Sequence, residues 1–147
     1  MEDKITRTNV AAIIFDDEGS VLLCKRSLHK EVAPGRWHIP GGKIETGETF
    51  KSAIVRELAE ELHLEVTSVV DTCMDCMYEV GNNMHRTMFV YTTTTGSIIL
   101  NHENDAYLFV DIDKINKFID ESLLSENITA VKIANRIKNG AVIDLCK

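Results

Sequence analysis

At 147 residues, with 44% hydrophobic and 27% charged residues, the chain has the size and make-up of one globular domain, residues 1–147, that closes its own core. A net charge of −7 at pH 7 argues against a general nucleic-acid or anionic-membrane binder, since both need a basic surface; it leaves room for anionic substrates that metal ions neutralise. The polar start MEDKITRTN lacks a signal-peptide core and no apolar run approaches the ~20 residues of a membrane span, so no membrane partner and a cytoplasmic location are expected.

In chain order, NVAAIIF and VLLCKR are β-type runs around the turn Asp16-Asp17-Glu18-Gly19, which predicts a hairpin over residues 9–26. Residues 27–47 read as one elaborate loop, because both prolines, the only tryptophan and four of the eight glycines fall there. A helix is predicted over Thr49–Leu62. At 100° per residue it carries an apolar stripe of Phe50, Ala53, Ile54, Leu58 and Leu62. Glu57 and Glu61 fall inside that stripe and Glu60 on its edge, where an ordinary amphipathic helix keeps no acids.

Two β-rich runs around Gly81-Asn82-Asn83 predict a second hairpin, AYLFVDI a further strand, and residues 125–140 a second helix with Ser125 as N-cap and Gly140 past its end. That helix reads as a packing layer without chemistry. Cys73 and Cys76 have CxxC spacing but no second pair or histidine cluster, so they are read as two reduced, partly buried cysteines and not as a zinc or redox site. Strands grouped around two separated helices predict an α/β (α+β) sandwich, a mixed sheet with a helix on each face.

Residues 57, 60 and 61 are related by i+3 and i+4, so on a helix their side chains converge. Three carboxylates that close repel one another and need a counter-charge. Arg56 supplies one, and a divalent cation would serve better; all-oxygen ligation favours a hard ion, Mg²⁺ or Mn²⁺. Upstream, the paired glycines of PGGKIETGE let the backbone approach a ligand closely. A glycine-rich loop feeding a carboxylate-bearing helix suits a metal–polyphosphate. The plain alternative is a solvated acidic helix after an ordinary turn, and the inward placement of Glu57 and Glu61 counts against it.

The spacing of Gly42, Glu48, Arg56, Glu57, Leu58, Glu60, Glu61 and Leu64 resembles the Nudix box, Gly-x5-Glu-x7-Arg-Glu-apolar-x-Glu-Glu-x-Gly-apolar, over 23 residues. The one departure is His63, where the family has the glycine that ends the helix. His tolerates a left-handed backbone better than most residues, so a small stability cost and an intact site are expected, with a structural role for His63. The resemblance implies a Nudix-type α/β/α sandwich with a mixed central sheet, and hydrolysis of a nucleoside diphosphate linked to another group. It also implies Mg²⁺ as cofactor, with Mn²⁺ as substitute, and Glu57, Glu60, Glu61 and the Gly41 carbonyl as metal ligands. Arg56 and Glu48 would hold helix and loop together beside Gly42. Glu60 is the first choice of general base and Glu103, as base or metal ligand, the second, with Asp105 as fallback, and Lys43 and Arg26 are candidates to meet substrate phosphates.

Short length and PGGKIETGET favour a MutT-like pyrophosphohydrolase acting on a (d)NTP to give a nucleoside monophosphate and pyrophosphate. Another nucleoside diphosphate derivative (CoA, a nucleotide sugar or a dinucleoside polyphosphate) is the alternative. A non-catalytic nucleotide- or RNA-binding domain is a third reading, disfavoured because the box acids are complete. The partner expected is a small-molecule nucleotide, without a stable nucleic-acid partner; homodimers are frequent in the family. A base pocket would come from the sheet near Thr8, Met77, Arg86 and Phe109.

Overall fold

The computed structural model describes residues 5–31 and 33–140. Its strands are β1 (Ile5–Ile13), β2 (Val21–Arg26), β3 (Trp37–His38), β4 (Gly41–Lys43), β5 (Glu65–Val80), β6 (Asn83–Thr95) and β7 (Asn104–Val110). Its helices are α1 (Phe50–Leu62) and α2 (Glu121–Lys138), with a short 3₁₀ segment at Ile112–Lys117.

The strands form two sheets, in the orders β4-β1-β6-β5 and β3-β2-β7. β1 runs parallel to β6 and antiparallel to β4, so the larger sheet is mixed. The hairpin expected over residues 9–26 is therefore only local. Its turn closes at a Phe15–Val21 bridge and the Leu22 N–H to Ile14 carbonyl bond, and then β1 and β2 part into different sheets. Residues 10–14 and 21–24 are buried on both faces, so each of these runs contributes alternate side chains to two cores. The loop expected over residues 27–47 likewise contains two short strands, pairing with β2 and β1.

Alternate residues of β1 serve two cores. Val10 and Ala12, with Ile14 just past the strand, pack with Ala53, Ile54, Leu58 and Leu62 of α1, while Ala11 and Ile13 pack with Ala130, Val131 and Ala134 of α2. A helix thus covers each side of the strand, the α/β/α layering expected. α2 begins four residues before the expected start at Ser125, which lies inside the helix and accepts from Thr129 Oγ1 at 2.9 Å. The added turn packs Leu123 and Leu124 on the core, so tertiary burial extends the helix beyond its local signal. No helix among the described residues is long and apolar enough to cross a membrane.

The cysteine reading needs correction. A bulge in β5 sets Cys73 in a left-handed conformation (φ 59°) with its side chain exposed, and it is disulfide-bonded, not reduced. Cys76 is free and buried as expected.

Candidate active site

α1 starts at a reciprocal cap. Thr49 Oγ1 accepts from the Ser52 N–H at 3.1 Å and Ser52 Oγ accepts from the Thr49 N–H at 3.0 Å, an arrangement worth ~1 kcal/mol. It ends at His63 in the left-handed conformation (φ 58°), whose N–H reaches the Ala59 carbonyl. His63 Nδ1 lies 2.7 Å from the Ile99 carbonyl, so the residue in the glycine position closes the helix and ties down the following loop. That is the structural role expected of it.

Between these ends, Ala53, Ile54, Leu58 and Leu62 are fully buried. Their burial pulls Glu57 and Glu61, each 9% exposed, in with them. Glu60 stays exposed. Glu57 can lie this deep only because Gly42 has no side chain: a Cβ there would sit 2.3 Å from the Glu57 carboxyl carbon. Gly41 is as constrained, since a Cβ on it would sit 1.9 Å from the Val10 carbonyl oxygen.

Arg56 organises the box. Its Nε and Nη2 grip the two Glu48 oxygens at 2.9 and 2.8 Å, Nη2 also reaches the Lys43 carbonyl at 2.9 Å, and Nη1 meets Glu57 at 2.9 Å and Glu60 at 3.4 Å. A planar guanidinium is the side chain that can serve all of these at once. Beside it, the Glu48 carboxyl is held down to about 2, chiefly by the Arg56 hydrogen bonds. Arg56 and Glu48 therefore position the loop against the helix.

The buried acids behave in the opposite sense. Burial, then the Glu57 and Glu103 charges, push the Glu61 carboxyl up to about 8, and burial also raises Glu57. Glu61 Oε2 is buried without a hydrogen-bond partner. A buried pair of carboxyls, both raised above the ordinary range, with one oxygen lacking a partner and a glycine beside it, is a donor set that fits a hard cation. As placed, no three described His, Cys, Asp or Glu side chains stand ready to hold a metal. Arg56 occupies oxygens of Glu57 and Glu60.

The remaining expected residues divide. Glu103, on the loop before β7, carries its charge close enough to raise Glu61. Its own carboxyl is held down chiefly by Lys30. Asp105 is engaged elsewhere, accepting from Ser27 Oγ and the Leu28 N–H. Arg26, at the end of β2, lies close enough for its charge to act on both Glu103 and His38. Lys43 is exposed on β4. Thr8, Arg86 and Met77 form one row across β1, β6 and β5, whereas Phe109 belongs to the other sheet. A cavity of about 330 Å³ is lined by Phe15, Asp17, Tyr91, Thr93 and Lys138 among others and includes none of the box acids.

Sequence reasoning missed Lys30, His38 and Asn101. His38 Nε2 lies 2.9 Å from Asn104 Oδ1, and Asn101 Nδ2 donates to the Glu60 carbonyl at 3.1 Å. All three act on partners distant in sequence, so no local pattern marks them.

Residues 5–129 match the model of the NUDIX domain. The chain belongs to the Nudix family. Among its relatives, the nucleoside triphosphatase NudI of Enterobacter sp. (strain 638) is 46% identical over 65 residues, 43% of this chain and 45% of that protein. The 8-oxo-dGTP diphosphatase of Proteus vulgaris is 33% identical over 94 residues, 64% of this chain and 81% of that one. Several curated relatives are thus spanned over less than half their length. Among solved structures, the MutT protein from Methanosarcina mazei Go1 superposes with a TM-score of 0.74 at 22% identity, over 94% of this chain and 98% of that one, a likeness of fold.

Proposed function

We propose that this Nudix chain is a cation-dependent pyrophosphohydrolase of nucleoside triphosphates, releasing a nucleoside monophosphate and pyrophosphate, with Mg²⁺ as the working ion and Mn²⁺ as its substitute. The observation that carries the reading is the buried Glu57–Glu61 pair, both carboxyls raised by burial and Glu61 Oε2 lacking a partner, in a cradle that only glycine permits. A nucleoside triphosphatase and an 8-oxo-dGTP diphosphatase among the relatives support the substrate class.

Glu57, Glu60, Glu61 and the Gly41 carbonyl would hold the metal. Held by these groups, such an ion would supply charge neutralisation for the polyphosphate and acidify a water. Every other contribution belongs to the protein. Arg56 and Glu48 fix the loop on the helix, so Gly41 and the acids share one frame. Glu60, the exposed member, is the first choice to take the water's proton, and Glu103 the second. Lys43 and Arg26 offer positive charge to the phosphates. Substitution at phosphorus leaves most of the rate to such positioning and charge stabilisation. We place this chemistry on free nucleotides in the cytoplasm.

The test is hydrolysis of NTPs, nucleotide sugars, dinucleotides and CoA by wild type and Glu60→Gln with Mg²⁺, with products separated by chromatography: pyrophosphate released from NTPs, two phosphate-ended fragments from each of the others. The reading expects release from NTPs and a loss beyond about tenfold in the variant. Silence across the panel sinks the enzyme reading, and preference for another diphosphate moves the substrate class.

A further inference from the structure

Two loops far apart in sequence are fastened into one unit beside the box. The Ser27 N–H donates to the Glu103 carbonyl at 3.0 Å, the Ser27 hydroxyl reaches the His102 carbonyl and Asp105, and the His29 and His102 rings stack at 6.3 Å. The same unit is sewn to the end of α1. The Asn101 N–H donates to the Glu61 carbonyl at 3.2 Å, and Asn101 Oδ1 accepts from the Glu103 N–H at 2.8 Å. Glu103 is therefore held in place from both sides. The Lys30 ammonium, carried on the first loop, is paired directly with its carboxylate, and both side chains are about a quarter exposed.

We propose that Lys30 is a positioning residue that serves as the resident counter-ion of the site, neutralising Glu103 beside the Glu57–Glu61 pair until a divalent cation displaces it. The inference rests on the cation-dependent reading above. Without metal, the Glu103 charge acts on the buried Glu57–Glu61 pair, and a flexible lysine stem offsets it reversibly. Arg56 is committed elsewhere: Glu48 and the Lys43 carbonyl hold Nε and Nη2, and Nη1 meets Glu57 and Glu60. The charge of Lys30 also acts on Glu61, in the direction opposite to Glu103. A lysine in this place competes with the metal, so removing its charge strengthens cation binding, whereas a merely structural lysine would leave it unchanged or weaken it.

The experiment is Mn²⁺ titration of the cation-free protein at fixed pH, read from the electron paramagnetic resonance of free Mn²⁺. Lys30→Met is expected to lower the Mn²⁺ Kd at least about fivefold, with Lys30→Arg within about twofold of wild type. On a Glu103→Gln background the Lys30→Met effect disappears. Lys30→Gln repeats the measurement should the methionine variant fold poorly. An unchanged or weaker Kd in Lys30→Met and Lys30→Gln, with wild type binding normally, overturns this inference alone. Absence of Mn²⁺ binding by wild type up to millimolar concentration overturns the cation-dependent reading and this inference with it.

Discussion

Glu61→Gln should stabilise the cation-free protein while removing its response to metal. In the absence of a cation the Glu61 carboxyl is pushed up from 4.5 to about 8, first by burial and then by its acidic neighbours. Between those values the native state holds a proton that the unfolded chain releases, so stability falls as pH rises through the window. Neutral pH lies 2.5 units above 4.5, which at 1.36 kcal/mol per unit is a cost of about 3 kcal/mol. Glutamine keeps the shape, carries no charge to desolvate, and offers an N–H to Glu57 in place of the acidic proton. Allowing for an amide hydrogen left without a partner, the net gain should be ~1–2 kcal/mol, a Tm rise of roughly 3–6 °C for a domain of this size. Calorimetry in EDTA at pH 5 and pH 7.5 checks it. The gain should be present at pH 7.5, nearly absent at pH 5, and accompanied by loss of the Mn²⁺-induced shift. Destabilisation at pH 7.5, or an equal effect at both pH values, would show that the Glu61 charge is not what costs stability.

Gly42→Ala drives a methyl group into the Glu57 carboxyl, so Mn²⁺ affinity and turnover should each fall at least about a hundredfold while circular dichroism still shows a folded protein. Arg56→Lys keeps the charge but not the fork on Glu48; a loss of about 1–3 kcal/mol in urea unfolding is expected, with kcat falling more than KM rises. Glu48, held down to about 2, contributes stability that is present above 4.5 and lost as pH falls toward 2, so Glu48→Gln should flatten that acid limb in thermal melts. His63→Ala removes both the tolerance of a left-handed backbone and the Ile99 contact, costing ~1–2 kcal/mol in the same melts with kcat unchanged within about twofold.

The parts of this molecule that could be read in advance are those with a local period. The α1 stripe, the placement of Glu57 and Glu61 within it and the helix end at His63 all follow from 3.6-residue geometry and cap chemistry, which neighbours in sequence determine. The split into two sheets could not be read the same way. Apolar runs such as residues 10–14 look alike whether a strand pairs with its sequence neighbour or is buried between two helices. β3 and β4 have two and three residues and lie among prolines and glycines, where strand propensity carries no signal. The start of α2 was set by what Leu123 and Leu124 could bury against. At the site the same division holds. The box acids are periodic, while Lys30 meets a partner 73 residues away, a pairing that only the folded chain reveals.

Cation-dependent attack by water at the box acids divides a nucleoside triphosphate into monophosphate and pyrophosphate, and chromatography of the products formed from a panel of NTPs and dNTPs, with Mg²⁺ and with EDTA, decides whether it does. Nucleoside monophosphate and pyrophosphate should form in equal amounts from at least one of them, a reaction abolished by EDTA and restored by Mn²⁺. Turnover that persists in EDTA, or release of inorganic phosphate with nucleoside diphosphate in place of pyrophosphate, would rule this chemistry out.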